Sequence, residues 1–124
     1  MKQSEFKTYL FELFGAPVDG VVYEEKMKLI EKYLVEYQIK HDDEREKPNH
    51  GDAWTDDELR IILMNAPTKN NCIRFSQIFG RGYGSIEQIY RWASTDDQTV
   101  KEKRPADSFV ARIKRIAKEL GWRA

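Results

Sequence analysis

An all-α fold is what this sequence predicts, and three observations predict it. Apolar residues recur at three- and four-residue spacing in several separate stretches, the pattern of a helix with one buried face. Start and stop signals bracket those stretches: Thr55 with Glu58 three residues on, Asp107 or Ser108, and the stops Gly15, Gly80 and Gly121. Only one short apolar run, Val21-Val22-Tyr23, could be extended.

In chain order, residues 4–14 predict an amphipathic helix. Phe6, Tyr9, Leu10, Leu13 and Phe14 form its stripe, Ser4 caps it and Gly15 ends it. Ala16-Pro17 and Asp19-Gly20 mark a loop. Glu24 and Glu25 open a longer helix to about Lys40, with Met27, Ile30, Tyr33 or Leu34, and Tyr37 on one face. Two helices cannot easily bury both stripes alone. Residues 1–40 are therefore expected either to extend the core of the same domain or to meet a homodimer copy or another protein.

Residues 41–53, HDDEREKPNHGDA, predict a solvated, charged linker broken by Pro48 and Gly51. His41, Asp42, Asp43, Glu44, His50 and Asp52 fall at no recognised metal-ligand spacing, so no metal is expected there.

Residues 54–124 carry the densest signals. Thr55 followed by Asp56, Asp57 and Glu58 starts a helix whose acids sit at the positive end of its dipole. Leu59, Ile62 and Leu63 recur behind them, and Pro67 is the expected stop. A second helix starts near Thr68 or Asn70, carries Cys72, Ile73, Phe75, Ile78 and Phe79, and ends at Gly80. The turn Gly80-Arg81-Gly82-Tyr83-Gly84 is expected to lead to a third helix, capped by Ser85 and ending at Trp92 or Ala93. Ile86, Ile89, Ala93 and Trp92 face inward; Gln88 and Arg91, three apart, share the outward face. Residues 94–106 form a second polar stretch, with Lys101, Lys103 and Arg104 before Pro105. Asp107 or Ser108 then caps a last helix with Phe109, Ile113, Ile116, Ala117 and Leu120 inward; Gly121 ends it, and Trp122 folds back over the end.

Trp54-Thr-x-x-Glu-Leu, the aromatic Phe75, and Gly-Arg…Ser-x-Glu-Gln-Ile-x-x-Arg-Trp ending at Trp92 resemble the Myb/SANT-like helix-turn-helix. That family builds a small core from three spaced aromatics, one per helix. The resemblance implies that Trp54, Phe75 and Trp92 take those places and that the third helix is offered to double-stranded DNA. The glycine-rich turn at 80–84 is longer than the family's tight turn. The likeness covers residues 54–93, and SANT-like members also bind proteins without touching DNA.

The chemistry of the residues can be set beside that. Gln88 can pair both edges of adenine, and Arg91 those of guanine. Ser85 and Tyr83 lie near the start of the same helix, with Tyr90 further along, in reach of bases, sugar or phosphate. Lys69, Arg74 and Arg81 can neutralise phosphates. Arg112, Lys114, Arg115 and Lys118 give the last helix a basic side, either a phosphate rail including Arg112 and Arg115 or an ordinary solvated face. Glu87 opposes phosphate unless it pairs with Arg91 or reads cytosine.

Composition excludes more than it assigns. The 124 residues balance 21 basic against 21 acidic side chains. Residues 1–53 hold eight Lys/Arg against twelve Asp/Glu, and residues 54–124 thirteen against nine, so the second half is the basic one. No apolar run approaches a membrane span. An acid at Glu5 argues against a signal peptide, and the single Cys72, on an apolar stripe, excludes an internal disulfide. A cytoplasmic protein is expected. No Ser/His/Asp arrangement is visible, both histidines fall in the 41–53 stretch, and Gly80-x-Gly82-x-Gly84 lacks the strand and Lys-Ser/Thr of a phosphate loop. The sequence thus predicts a non-enzymatic, cofactor-free DNA binder, a small bacterial or phage-type regulator or accessory factor. A SANT-like protein-interaction module is the alternative.

Overall fold

The computed structural model describes residues 1–123, and the described residues form helices joined by turns, with no strand. The all-α expectation holds. By backbone contacts the chain falls into two units, Met1–Gln38 and the residues from Ile39 onward.

The first unit holds α1 (Gln3–Gly15) and most of α2 (Tyr23–Lys40). Both helices lie where their stripes predict. Neither contains a buried residue. Leu10, Phe14, Met27 and Ile30 are half-buried, while Phe6, Tyr9, Leu13, Tyr33 and Leu34 stand in solvent. Val21-Val22-Tyr23 is not a strand: Tyr23 already opens α2.

The second unit carries the core. Its helices are α3 (Asp56–Leu63), α4 (Lys69–Phe79), α5 (Tyr83–Ser94), α6 (Asp97–Lys103) and α7 (Ser108–Glu119), preceded by a single 3₁₀ turn at Asp42–Glu44. α5 is central, packing on α3, α4 and α7, and α3 packs on α7. Leu59, Ile62, Ile86, Ile89, Ile113 and Ile116 are fully buried where these helices meet. Burying each such side chain stabilises the fold by roughly 1.5–3 kcal/mol. Trp54 and Phe75 belong to this cluster, and Trp92 packs on its edge, partly buried. Phe79 links the first two, edge-on to Trp54 and stacked on Phe75.

The ends of the helices follow from their residues. Thr55 and Glu58 close the capping box on α3 in both directions, at 3.2 and 2.9 Å. α3 stops at Leu63, before Pro67 is reached. Thr68 caps α4. Gly80 ends it at φ 63°, and the Arg81 N–H closes back on the Ser76 carbonyl. Asp107 caps α7. After Leu120, the Gly121 and Trp122 N–H groups return to the Lys118 and Ala117 carbonyls, a Schellman closure. Trp122 does fold back: its indole N–H donates to the Leu63 carbonyl at 2.8 Å, and its ring stacks on Tyr90.

Three expectations are corrected. α5 begins at Tyr83, not at Ser85; Gly82 is its N-cap and gives no side-chain bond. The α4–α5 turn is therefore Gly80–Gly82, tighter than the glycine run suggested. Within the polar stretch 94–106, Asp96 caps the short helix α6 through Thr99.

Residues 41–53 are the third correction, since they are not a free linker. Asp42 accepts the Tyr83 N–H at 3.1 Å, and Arg45 donates to the Arg81 carbonyl. Asn49 bonds both the Phe79 and the Gly80 carbonyls. A Cβ on Gly80 would lie 2.9 Å from Asn49 and 3.0 Å from Pro48, so the strap and the turn require glycine there twice over, for conformation and for space.

Candidate nucleic-acid interface

The outward surface of α4 and α5 is the place to look, because the amphipathic pattern leaves polar side chains there. Ile86, Ile89, Tyr90 and Ala93 turn α5 inward. Gln88 and Arg91 are exposed on its other side, as their three-residue spacing predicts, and Gly84 is exposed at its start. Arg91 reaches Glu87 one turn back at 3.2 Å, both partners being open to water. Ser85 is half-buried. Tyr83 is half-buried too, and burial first, then Cys72 and Glu87, pushes its hydroxyl up to about 12. On α4, Lys69 and Arg74 are exposed, with no ion pair among the described residues.

Other expected contacts are withdrawn from solvent. Arg81 is 4% exposed. Its guanidinium lies over the Trp54 ring, 3.9 Å from the centroid, and donates to the Asp52 and Ala53 carbonyls. It fixes the segment entering α3 and does not face outward. Tyr90 is buried; its hydroxyl donates to the Ile62 carbonyl at 2.8 Å, and burial raises its pKa. It cannot reach sugar or phosphate without opening the core.

The basic side of α7 is spoken for by the chain itself. Arg112 donates to the Trp54 carbonyl and pairs with Asp56 at 3.3 Å. Arg115 meets Asp56 at 2.9 Å and Glu119 at 3.3 Å. Arg60 joins the same group through Glu119 and Asp57. The Arg115 hydrogen bond, then the charges of Arg115, Arg112 and Arg60, hold the Asp56 carboxyl below its ordinary value against the opposing effect of burial. Lys118 pairs with Asp97 at 2.8 Å. Lys114 is 7% exposed and bonds the Thr95 carbonyl at 2.5 Å. Arg112 and Lys114 are tied down by backbone carbonyls as well as by acids, whereas the Arg115–Glu119 and Lys118–Asp97 pairs are as open to water as Arg91–Glu87. Of the acids at the start of α3, Glu58 closes the cap, Asp56 is the partner of α7 and Asp57 pairs with Arg60 within α3.

Sequence reasoning missed the Asp42 cluster. Its carboxylate sits over the N-terminus of α5, where it replaces the cap that Gly82 lacks. Arg45 holds it at 2.7 Å and Lys47 at 3.2 Å. Burial raises this carboxyl, but the bonds from Arg45, the Tyr83 N–H and Lys47 together outweigh that and lower it. No local signal marks the contact, since Asp42 and Tyr83 are 41 residues apart. Among the described residues no group of three His, Cys, Asp or Glu is placed to hold a metal. No helix there is long and apolar enough to cross a membrane.

Fold and surface define an all-helical protein with two short helices meeting across a tight glycine turn, the second showing a polar face to solvent. Residues 48–124 match the family described as the uncharacterised protein PM1205 C-terminal domain, and the chain belongs to that family. Over 124 residues it is 46% identical to the uncharacterized protein PM1205 of Pasteurella multocida (strain Pm70), covering 99% of both chains. No solved structure matches.

Proposed function

We propose that this protein binds double-stranded DNA, with α5 laid in the major groove and α4 along the backbone, as a small regulator or accessory factor. One observation carries the reading. Between residues 64 and 94 four cations face a single acid, Glu87, and of these cations Lys69 and Arg74 are exposed and unpaired while Arg91 is held only by an exposed pair. An exposed pair at this spacing is worth about 0.3–0.5 kcal/mol, so Arg91 can leave Glu87 for a guanine at little cost. Gln88 beside it offers the geometry for adenine. The likeness of residues 54–93 to Myb/SANT-like domains supports the same assignment.

Gel-shift or anisotropy titration on duplex DNA at low salt tests it, with Gln88→Ala and Arg91→Ala alongside. Binding that weakens steeply with salt and is reduced in both variants is expected. Absence of binding, or full affinity in both variants, would sink it. The protein-interaction reading is favoured by a different observation, the apolar side chains that α1 and α2 leave in solvent.

A further inference from the structure

We infer that the α1–α2 pair is a self-association surface, and that its partner is the α1–α2 pair of a second copy of this chain. The starting point is a helical pair without a core. Neither helix buries a residue, yet ten large apolar side chains between Phe6 and Tyr37 are at least 47% exposed. Phe6, Tyr9 and Leu13 run along α1 at helical spacing, and Tyr33 and Leu34 stand on α2. Leu10, Phe14, Met27 and Ile30 are only half-buried, and short helices with so little packed surface are marginal in water, so the pair as it stands is incomplete.

The area fits one kind of completion. Phe6, Tyr9 and Leu13 on α1 and Tyr23, Tyr33, Leu34 and Tyr37 on α2, each with about half its surface open or more, offer roughly 100 Å² each, or on the order of 700 Å² together. That is about what one partner contributes to a standard interface, near 800 Å². Two helical pairs meeting face to face make a four-helix bundle, in which each stripe finds the apolar surface it lacks. Charge points the same way. Residues 1–38 hold five lysines against seven acids, interspersed along both helices. Such a surface attracts neither a polyanion nor a strongly charged protein, and it repels its own copy only weakly. Exposed tyrosines and phenylalanines are the residue types enriched in interfaces.

The proposal stands apart from the DNA reading, and its test needs no DNA. Light scattering or sedimentation of the full chain at micromolar concentration should give twice the 14.7 kDa of one chain. Leu13→Glu and Leu34→Glu should each weaken the dimer about ten-fold or more. Ile78→Glu, at an exposed apolar position on α4, should leave the mass unchanged. A monomer at 14.7 kDa overturns the proposal, and so does a dimer that survives both α1 and α2 variants or falls apart on Ile78→Glu. Should the glutamate variants lose helicity, amide exchange on the wild type decides. Protection of α1 and α2 that rises with protein concentration supports the proposal; protection independent of concentration overturns it.

Discussion

Two parts of this molecule carry four cations each, and they commit them to the fold to different extents. On α7, Arg112, Lys114, Arg115 and Lys118 each meet an acid or a backbone carbonyl of the same chain. Between α4 and α5 only Arg81 is absorbed into the fold; Lys69, Arg74 and Arg91 remain on the surface. The first set is the more conspicuous in the sequence, being packed into one amphipathic helix. The difference teaches that a basic stripe locates an interface only after its internal partners are subtracted. Asp56, Asp97 and Glu119 do the subtracting on α7, whereas Glu87 stands alone on α5.

The largest effect that bears on this contrast is on stability. Arg81→Ala strands the Asp52 and Ala53 carbonyls and uncovers Trp54. It should cost about 3 kcal/mol in urea unfolding, by the usual loss for bonds to a charged group. A variant as stable as the wild type would return Arg81 to the surface set. Lys114→Ala, on the other helix, should cost about 2 kcal/mol for the same reason, with the Thr95 carbonyl left unbonded.

Binding then sharpens the contrast. Lys69→Ala with Arg74→Ala should weaken DNA binding about ten-fold at low salt and flatten its salt dependence by about two contacts. Arg112→Ala with Arg115→Ala should leave the salt slope as it was. If the second pair flattens the slope and the first does not, the two regions have been assigned the wrong way round.

The smallest effect concerns the cap on α5. Asp42→Ala should cost about 1 kcal/mol at neutral pH. Because the folded carboxyl titrates below its ordinary 3.8, its stabilisation is complete above that pH and is lost as pH falls through the folded value. Wild type and variant should therefore converge in stability on acidification below pH 3.8. Parallel curves would mean that the contact contributes nothing.

What could be read from the sequence was what the chain writes locally. The Thr55–Glu58 box, the Gly80 and Gly121 stops and the Asp107 cap involve residues a few places apart, and each lies where its spacing predicts. On α5 the exposure of Gln88 and Arg91 followed from helical period, but Tyr90, expected in reach of sugar or phosphate, turns inward to the Ile62 carbonyl. α6 escaped because Val100 is its one apolar residue, too little to make a stripe. The start of α5 was hidden by glycines, which suit a turn and an N-cap equally well. The polar composition of residues 41–53 concealed their attachment, because the bonds from Asp42, Arg45 and Asn49 to the α4–α5 turn each cross 30 residues or more. For the same reason the burial of Arg81 and Lys114 was invisible, since both partners come from distant segments.

Cys72 lies inside α4, 4% exposed, and burial with the nearby Glu87 pushes its thiol up to about 11. A closed molecule at neutral pH therefore presents almost no thiolate to an alkylating or disulfide reagent. Labelling can proceed only while α4 is lifted from α5, so the modification rate counts those excursions. The chain carries one sulfhydryl and hence an unambiguous built-in clock for the breathing of its helix pair, and any ligand that clamps α4 to α5 should slow it.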